Sequence, residues 1–141
     1  MSLEPHTGRA VAIVAGGTIW PGRDIARGLA IWGWPIVVVY LDDQARAEAT
    51  IAEIIATGGA AVTVRADLRD ALDVGRLFIE STAAFGVIDV LIDTTMESPD
   101  PLYQRAARDL RDGGMVSMAA GGTRPTAMLT FLERWWQQNH R

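Results

Sequence analysis

The sequence predicts an α/β protein built on a doubly wound parallel sheet of about five strands, with helices on both faces in three layers. Three observations carry that prediction. Short apolar, β-branched runs alternate with stretches of helical spacing along the chain. Several helical stretches close on glycine, at Gly33, Gly58-Gly59, Gly86 and Gly113-Gly114. The first apolar run, Val11-Ala12-Ile13-Val14-Ala15, passes into Gly16-Gly17-Thr18-Ile19-Trp20-Pro21-Gly22 and a helical pattern begins at once.

Taken in order, residues 10–15 read as a buried strand, because they are short, apolar and closed by glycine. From Arg23 to Trp32 the spacing turns helical, with Ile25, Leu29 and Trp32 on one face until Gly33 and Pro35 stop it. Ile36-Val37-Val38-Val39-Tyr40 is a second strand, bounded by Asp42-Asp43. A helix over Ala45–Ala56 puts Ala47, Ile51, Ile54 and Ile55 on one side and stops at Gly58-Gly59. Ala60–Arg65 is a third strand. Asp70 caps a third helix that faces inward with Val74, Leu77, Phe78 and Phe85. Val87–Ile92 is a fourth strand. Pro101 opens a short helix through Leu102, Ala106 and Leu110, Met115–Ala119 is a fifth strand, and Thr126–Asn139 is a last helix. The reading is one domain over 9–141, preceded by a frayed segment, 1–8.

Composition narrows the function classes. The chain has 141 residues, 49% of them apolar, and a formal net charge of -4 without a basic cluster, so nucleic acid is not an expected partner. It has no cysteine, which removes disulfides and thiol chemistry. His6 and His140 stand at opposite ends, so no metal site is expected. The longest apolar run, Pro35–Leu41, is too short to span a bilayer, and no signal peptide is visible. The expected location is cytoplasmic, without membrane association.

In the order of its pieces the chain resembles the short-chain dehydrogenase/reductase family over roughly residues 9–120. Four places carry the likeness: the glycine turn after strand one, Ala66-Asp67-Leu68-Arg69-Asp70 after strand three, Phe85-Gly86-Val87-Ile88-Asp89-Val90-Leu91-Ile92, and Gly113-Gly114-Met115-Val116-Ser117-Met118. The resemblance implies a Rossmann fold that holds the pyrophosphate of NAD(P) at the N-terminus of the first helix, where free N–H groups and the helix dipole favour anions. Gly16 and Gly22 match the outer glycines of the family turn, Thr18 and Ile19 lie between them, and Trp20 fills the middle glycine slot. An indole there and the missing N–H of Pro21 are expected to weaken dinucleotide binding, unless Trp20 swings out as a stacking wall. The resemblance further implies that Asp67 accepts from the adenine amino group, that Leu68 gives a backbone contact, and that Asp42 sits beside the acid slot for the ribose hydroxyls. With no arginine or lysine between Tyr40 and Ala45, NAD is favoured over NADP. Where family members have Asn-Asn-Ala-Gly, this chain has Asp93-Thr94-Thr95-Met96; the Thr94 and Thr95 hydroxyls serve either a ligand or local backbone groups.

Catalysis in the family needs a serine at the end of strand five and a Tyr-x-x-x-Lys pair, because a tyrosine near its ordinary pKa is a poor base at neutral pH. The serine slots hold Ala119 and Ala120, Tyr40 and Tyr103 are not followed by lysine, and all thirteen basic residues are arginine. Gly17–Asp24 is a near miss to a P-loop, without its lysine and Ser/Thr. The expectation from sequence is therefore a shortened family member without ordinary oxidoreductase activity, a pseudoenzyme that binds a small ligand or a partner. Its alternatives are a non-redox enzyme of isomerase or lyase type, using a strand-end pocket around Gly16, Trp20, Thr94 and Ser117, and an NAD(P)-dependent reductase with an atypical site. The last helix carries Met128, Leu129, Phe131, Leu132, Trp135 and Trp136, an apolar arc that suggests either a cap on the sheet edge or a homodimer face.

Overall fold

The computed structural model describes residues 9–95, 97, 99–118 and 124–139. The segment 1–8, Met96, Ala119, Ala120 and His140 lie outside the described residues. Five strands and five helices alternate: β1 (Ala12–Ala15), α1 (Gly22–Ile31), β2 (Ile36–Tyr40), α2 (Gln44–Ala56), β3 (Ala61–Arg65), α3 (Ala71–Phe85), β4 (Val90–Asp93), α4 (Asp100–Asp109), β5 (Met115–Met118) and α5 (Pro125–Asn139). The strands form one sheet in the order β3-β2-β1-β4-β5, every pair parallel. The doubly wound sheet expected from sequence is the fold observed.

Strand residues alternate between two cores. Val14, Val38 and Ile92 pack against α1, α2 and α5, through Leu29, Ile54 and Leu132 among others. Ile13, Val37 and Leu91 pack against α3 and α4, through Leu77, Phe78 and Leu102. Because both faces of the central strands are covered, β1, β2 and β4 read as continuous apolar runs rather than alternating ones. Asp70 caps α3 as the sequence reading has it, accepting from Leu72 N–H at 3.0 Å, whereas Asp43, read there only as a boundary of the second strand, caps α2 by accepting from Arg46 N–H at 3.1 Å.

Two strands begin later than the sequence suggests, for a shared reason. Asp89 is 3% exposed, and its carboxylate accepts from Val11 N–H at 2.8 Å and from Arg111 Nε at 2.6 Å. The Asp89 and Val90 N–H groups in turn both donate to the Val11 carbonyl. A side chain thus takes the place of a ladder rung, and β1 and β4 pair only from Ala12 and Val90 onward.

The apolar arc of α5 splits. Met128, Leu132 and Trp136 are buried, with Trp136 meeting the fully buried Trp34 edge-on at 5.4 Å, whereas Phe131 is half exposed. The helix covers β5 on the α1 side, where Ser117 is buried. Val116 and Met118 point to the opposite face of this edge strand and are exposed. Among the described residues no helix is long and apolar enough to cross a membrane.

Candidate functional site

The carboxyl ends of β1, β2, β3 and β4 converge at one edge of the sheet. The strand order reverses between β1 and β4, where sheets of this kind open a crevice. The glycine turn is shaped by contacts within the chain. Gly16 has φ +89°, and a Cβ there would lie 2.1 Å from Thr94 Oγ1. Gly22 opens α1, and a Cβ there would lie 2.3 Å from the Gly16 carbonyl oxygen and 2.7 Å from Thr94 Oγ1. The Thr94 hydroxyl donates to the Ala15 carbonyl at 2.8 Å, so it clamps the turn onto the end of β4. From the other side, the fully buried Thr50 of α2 donates to the Gly17 carbonyl at 3.2 Å. The first turn of α1 then points its N-terminus at the crevice, the end of a helix that favours anions.

Beside the turn lies a cleft of about 240 Å³. Gly16 and Thr18 line it from the turn, Val39, Tyr40 and Leu41 from the end of β2, Ala66, Asp67, Leu68 and Arg69 from the end of β3, and Thr95 and Glu97 from beyond β4. It is smaller than the roughly 300–1,000 Å³ of sites for drug-sized ligands, the size of a subsite for one part of a larger ligand. Asp67 accepts from Arg69 N–H at 3.0 Å, and its own N–H donates to Asp73 at 2.9 Å. The Arg69 backbone N–H holds the Asp67 carboxyl below the ordinary aspartate range; partial burial opposes this, and the Arg69 and Arg65 charges assist it.

The exit of β4 is organised by an aspartate. Asp93 is 3% exposed; one carboxylate oxygen accepts from the Thr95 N–H at 2.9 Å and the Thr95 hydroxyl at 2.6 Å. Its other oxygen accepts from the Tyr103 hydroxyl at 2.6 Å. This links α4 to the loop that brings Thr95 and Glu97 to the cleft.

Of the residues singled out from sequence, Gly16, Thr18, Asp67 and Leu68 meet at this cleft. Gly22 lies behind it, against Gly16. Ile19 and Trp20 are each about half exposed and stand outside the lining. Asp42 is exposed and outside it too. Thr94 lies under the turn rather than in the cleft, and Thr95 takes the lining position. Ser117 is not gathered with Gly16 and Thr94, since its hydroxyl faces the Met128 sulfur at 3.2 Å beneath α5. Thr95, whose hydroxyl was read as serving either a ligand or local backbone groups, lines the cleft, whereas Tyr40, Arg69 and Glu97 were not singled out from sequence. Their common signal is position, each at or just beyond the carboxyl end of a strand.

A doubly wound sheet with a glycine turn, an open helix N-terminus and a cleft at its switch point has the architecture of the Rossmann class. The chain belongs to the short chain dehydrogenase family, whose profile matches residues 10–113. It is 37% identical to a 3-oxoacyl-[acyl-carrier-protein] reductase from Synechocystis sp., in an alignment covering 67% of this chain and 38% of that protein. Among solved structures it is similar to a dehydrogenase/reductase from Sinorhizobium meliloti 1021 (TM-score 0.70, 30% identity, 77% of this chain and 52% of that one). It is also similar to a short chain dehydrogenase from Burkholderia cenocepacia J2315 in complex with NADP (TM-score 0.67, 27% identity, 77% and 54%). The chain thus spans about half, or less, of the length of the relatives it matches.

These relatives correct the functional expectation drawn from sequence. They are named as reductases and dehydrogenases, which points to ordinary oxidoreductase function and not to a protein without it. The expectation went astray because it treated motifs unmatched in this chain as chemistry lost. A chain that overlaps only 38–54% of these relatives leaves much of their length, and the residues on it, outside the comparison.

Proposed function

We propose that this chain supplies the nucleotide-binding part of a nicotinamide-dependent oxidoreductase. The observation that carries this reading is the adjacency of the Gly16–Gly22 turn to a cleft ending in Asp67. Asp67 and the Leu68 backbone would hold the adenine, the end of β2 would hold the ribose, and the α1 N-terminus would face the pyrophosphate. A bound nicotinamide would supply hydride transfer. The part played by this chain is to seat the adenosine end and fix its direction across the crevice. NADP in a solved relative and reductase names among the others support the reading.

Titrating the chain with NADH and NADPH, followed by nicotinamide fluorescence, tests it, and no binding of either refutes it. Asp67→Ala is expected to weaken 5′-AMP binding about tenfold, the effect of losing one hydrogen bond to a charged group. The pH dependence has a defined sign. Asp67 has a lowered pKa, so its carboxylate form, and the contact it makes, is kept from neutrality down to about pH 4 and is lost only as pH falls through the lowered value. Calorimetry of 5′-AMP binding across that range checks this. A midpoint above the ordinary aspartate range would show that another group controls binding.

A further inference from the structure

The two edges of the sheet are finished differently. At the β3 edge, Ala66 donates inward to the Tyr40 carbonyl, so Arg65 before it turns its carbonyl outward, and the Arg76 guanidinium of α3 donates to that oxygen at 2.5 Å. Charged side chains of this kind keep an edge from pairing with other strands. The β5 edge, Met115-Val116-Ser117-Met118, carries no charge and no proline, and its pairing with β4 runs without a bulge. The Met115 N–H donates inward to the Asp89 carbonyl just before β4. Alternate residues of a strand turn their N–H and C=O groups to opposite edges, so Val116 and Met118 turn theirs outward. Among the described residues no strand pairs with them.

Apolar side chains frame this open edge on both faces. On the face away from α5, Val116 and Met118 are 43% and 60% exposed. On the other face, α5 packs over β4 and β5 through Met128, Leu132 and Trp136, and its Leu129 meets α1 at Gly28. Helical spacing puts Ala127 and Phe131 on the flank opposite Leu129, the flank turned toward the outer edge of β5. Both are exposed. The contact of the Ser117 hydroxyl with the Met128 sulfur fixes the height of the helix along the strand.

We propose that a second copy of this chain pairs antiparallel with the outer edge of β5, about a twofold axis at Ser117, to give a closed dimer with one continuous sheet. The register follows from the free groups. Val116 opposite Met118 of the second copy, twice by symmetry, exchanges four main-chain hydrogen bonds. The alternative, Val116 opposite its own counterpart, would set Met118 against Gly114, whose N–H is already given to the Arg111 carbonyl at 2.7 Å. Opposed residues share a face, so in the first register Val116 meets Met118 of the second copy on the open face, and Ser117 meets its counterpart beneath the helices. The helices fit the same axis. Because α5 lies over β4 and β5, its copy comes to rest two strand spacings away, about 10 Å, the distance of packed helices. The axis passes near Met128, so the small Ala127 side chains stand across it from each other. Phe131 then reaches the flank of the second copy at Arg124, where ring and guanidinium attract. Val116, Met118, Ala127 and Phe131 are all uncharged, so no like charges oppose one another in these contacts. The apolar arc of α5, read from sequence as either a cap on the sheet edge or a dimer face, thereby divides: Met128, Leu132 and Trp136 cap, and Phe131 pairs. The contact is near the lower bound of about 1,000 Å² for a specific interface, which sets a dissociation constant in the micromolar range.

Sedimentation velocity of the full chain over a concentration series tests this. The expected result is a reversible monomer–dimer equilibrium. Val116→Glu and Met118→Lys, each alone, should weaken the dimer at least about tenfold, because each change enters the interface twice and sets a charge against an apolar side chain. Combined in one chain, they oppose a carboxylate and an ammonium across the axis, and the dimer should return to within about threefold of the parent. Both positions are exposed in the single chain, so melting temperatures compared at concentrations where the parent is monomeric should be unchanged. A monomer at every concentration overturns the proposal and leaves the edge to a strand of another protein. A dimer indifferent to the single changes, or one that the combined change does not recover, overturns it as well and puts the contact on another face. Assembly beyond the dimer does the same, since a twofold pairing uses up the edge. The variants lie outside the cleft, so nicotinamide binding and dimer formation fail or succeed separately.

Discussion

Gly22→Ala is expected to destabilise the chain by about 2–4 kcal/mol, read by urea unfolding, and to abolish dinucleotide binding at concentrations that saturate the parent. In an open helix the same change would add up to about 1 kcal/mol of stability, because alanine is the better helix former. The sign reverses here because the new methyl would stand 2.3 Å from a backbone oxygen and 2.7 Å from Thr94 Oγ1. A backbone oxygen cannot rotate away, so either α1 or the turn must move, and both frame the helix N-terminus. Gly16→Ala should cost a comparable amount by a different mixture. Its φ of +89° adds backbone strain, and its methyl meets mainly the Thr94 hydroxyl, at 2.1 Å. The two terms separate experimentally. Gly58 has φ +88° with nothing within 4 Å, so Gly58→Ala should cost about 1–2 kcal/mol from strain alone. Combining Gly16→Ala with Thr94→Ala should return much of the loss beyond that strain, whereas Gly22→Ala with Thr94→Ala should return little, since the Gly16 oxygen remains.

The contrast bears on why the family turn was readable in a degenerate form. Only the outer glycines are held by contacts within the chain, to Thr94 and to each other. The middle slot, where Trp20 stands half exposed, has no such demand from this fold. A motif written as three glycines mixes a requirement of the scaffold with one of the ligand, and sequence alone does not separate them.

Other elements were legible in proportion to how local their causes are. Helix ends were read well because an aspartate cap or a stopping glycine acts within a few residues, as Asp70 and Gly86 do for α3. The two-faced burial of β2 was equally plain from Ile36-Val37-Val38-Val39. The start of β4 was placed three residues early, because Val87-Ile88-Asp89 has the apolar character of a strand, while the pairing depends on a side chain 78 positions from its partner. The same limit governed the site. Asp67 and Leu68 could be placed from a local motif and Thr95 was named for its hydroxyl, but Glu97 lies on a strand exit that Asp93 organises with Tyr103, ten residues further on.

Asp93→Ala is the second large effect expected, about 2–4 kcal/mol by urea unfolding, with weaker nucleotide binding besides. Asp93 collects three hydrogen bonds in a nearly closed setting, from the Thr95 N–H, the Thr95 hydroxyl and the Tyr103 hydroxyl. Removing it strips those donors of an acceptor at once, and each group left unsatisfied under burial costs about 1–3 kcal/mol, reduced where water can reach it. The amide introduced by Asp93→Asn keeps one acceptor oxygen for Thr95 and turns a donor toward a hydroxyl that can rotate to accept, so a smaller loss of about 1 kcal/mol is expected. Tyr103→Phe leaves the Thr95 bonds intact and should fall near the same value. The binding readout distinguishes an anchor from a mere stabiliser. Because Thr95 and Glu97 line the cleft from the loop that Asp93 ties down, 5′-AMP affinity should fall in Asp93→Ala by more than in Tyr103→Phe, under conditions where both variants remain folded. Equal affinities in the two variants would mean that the aspartate stabilises the sheet edge without shaping the site.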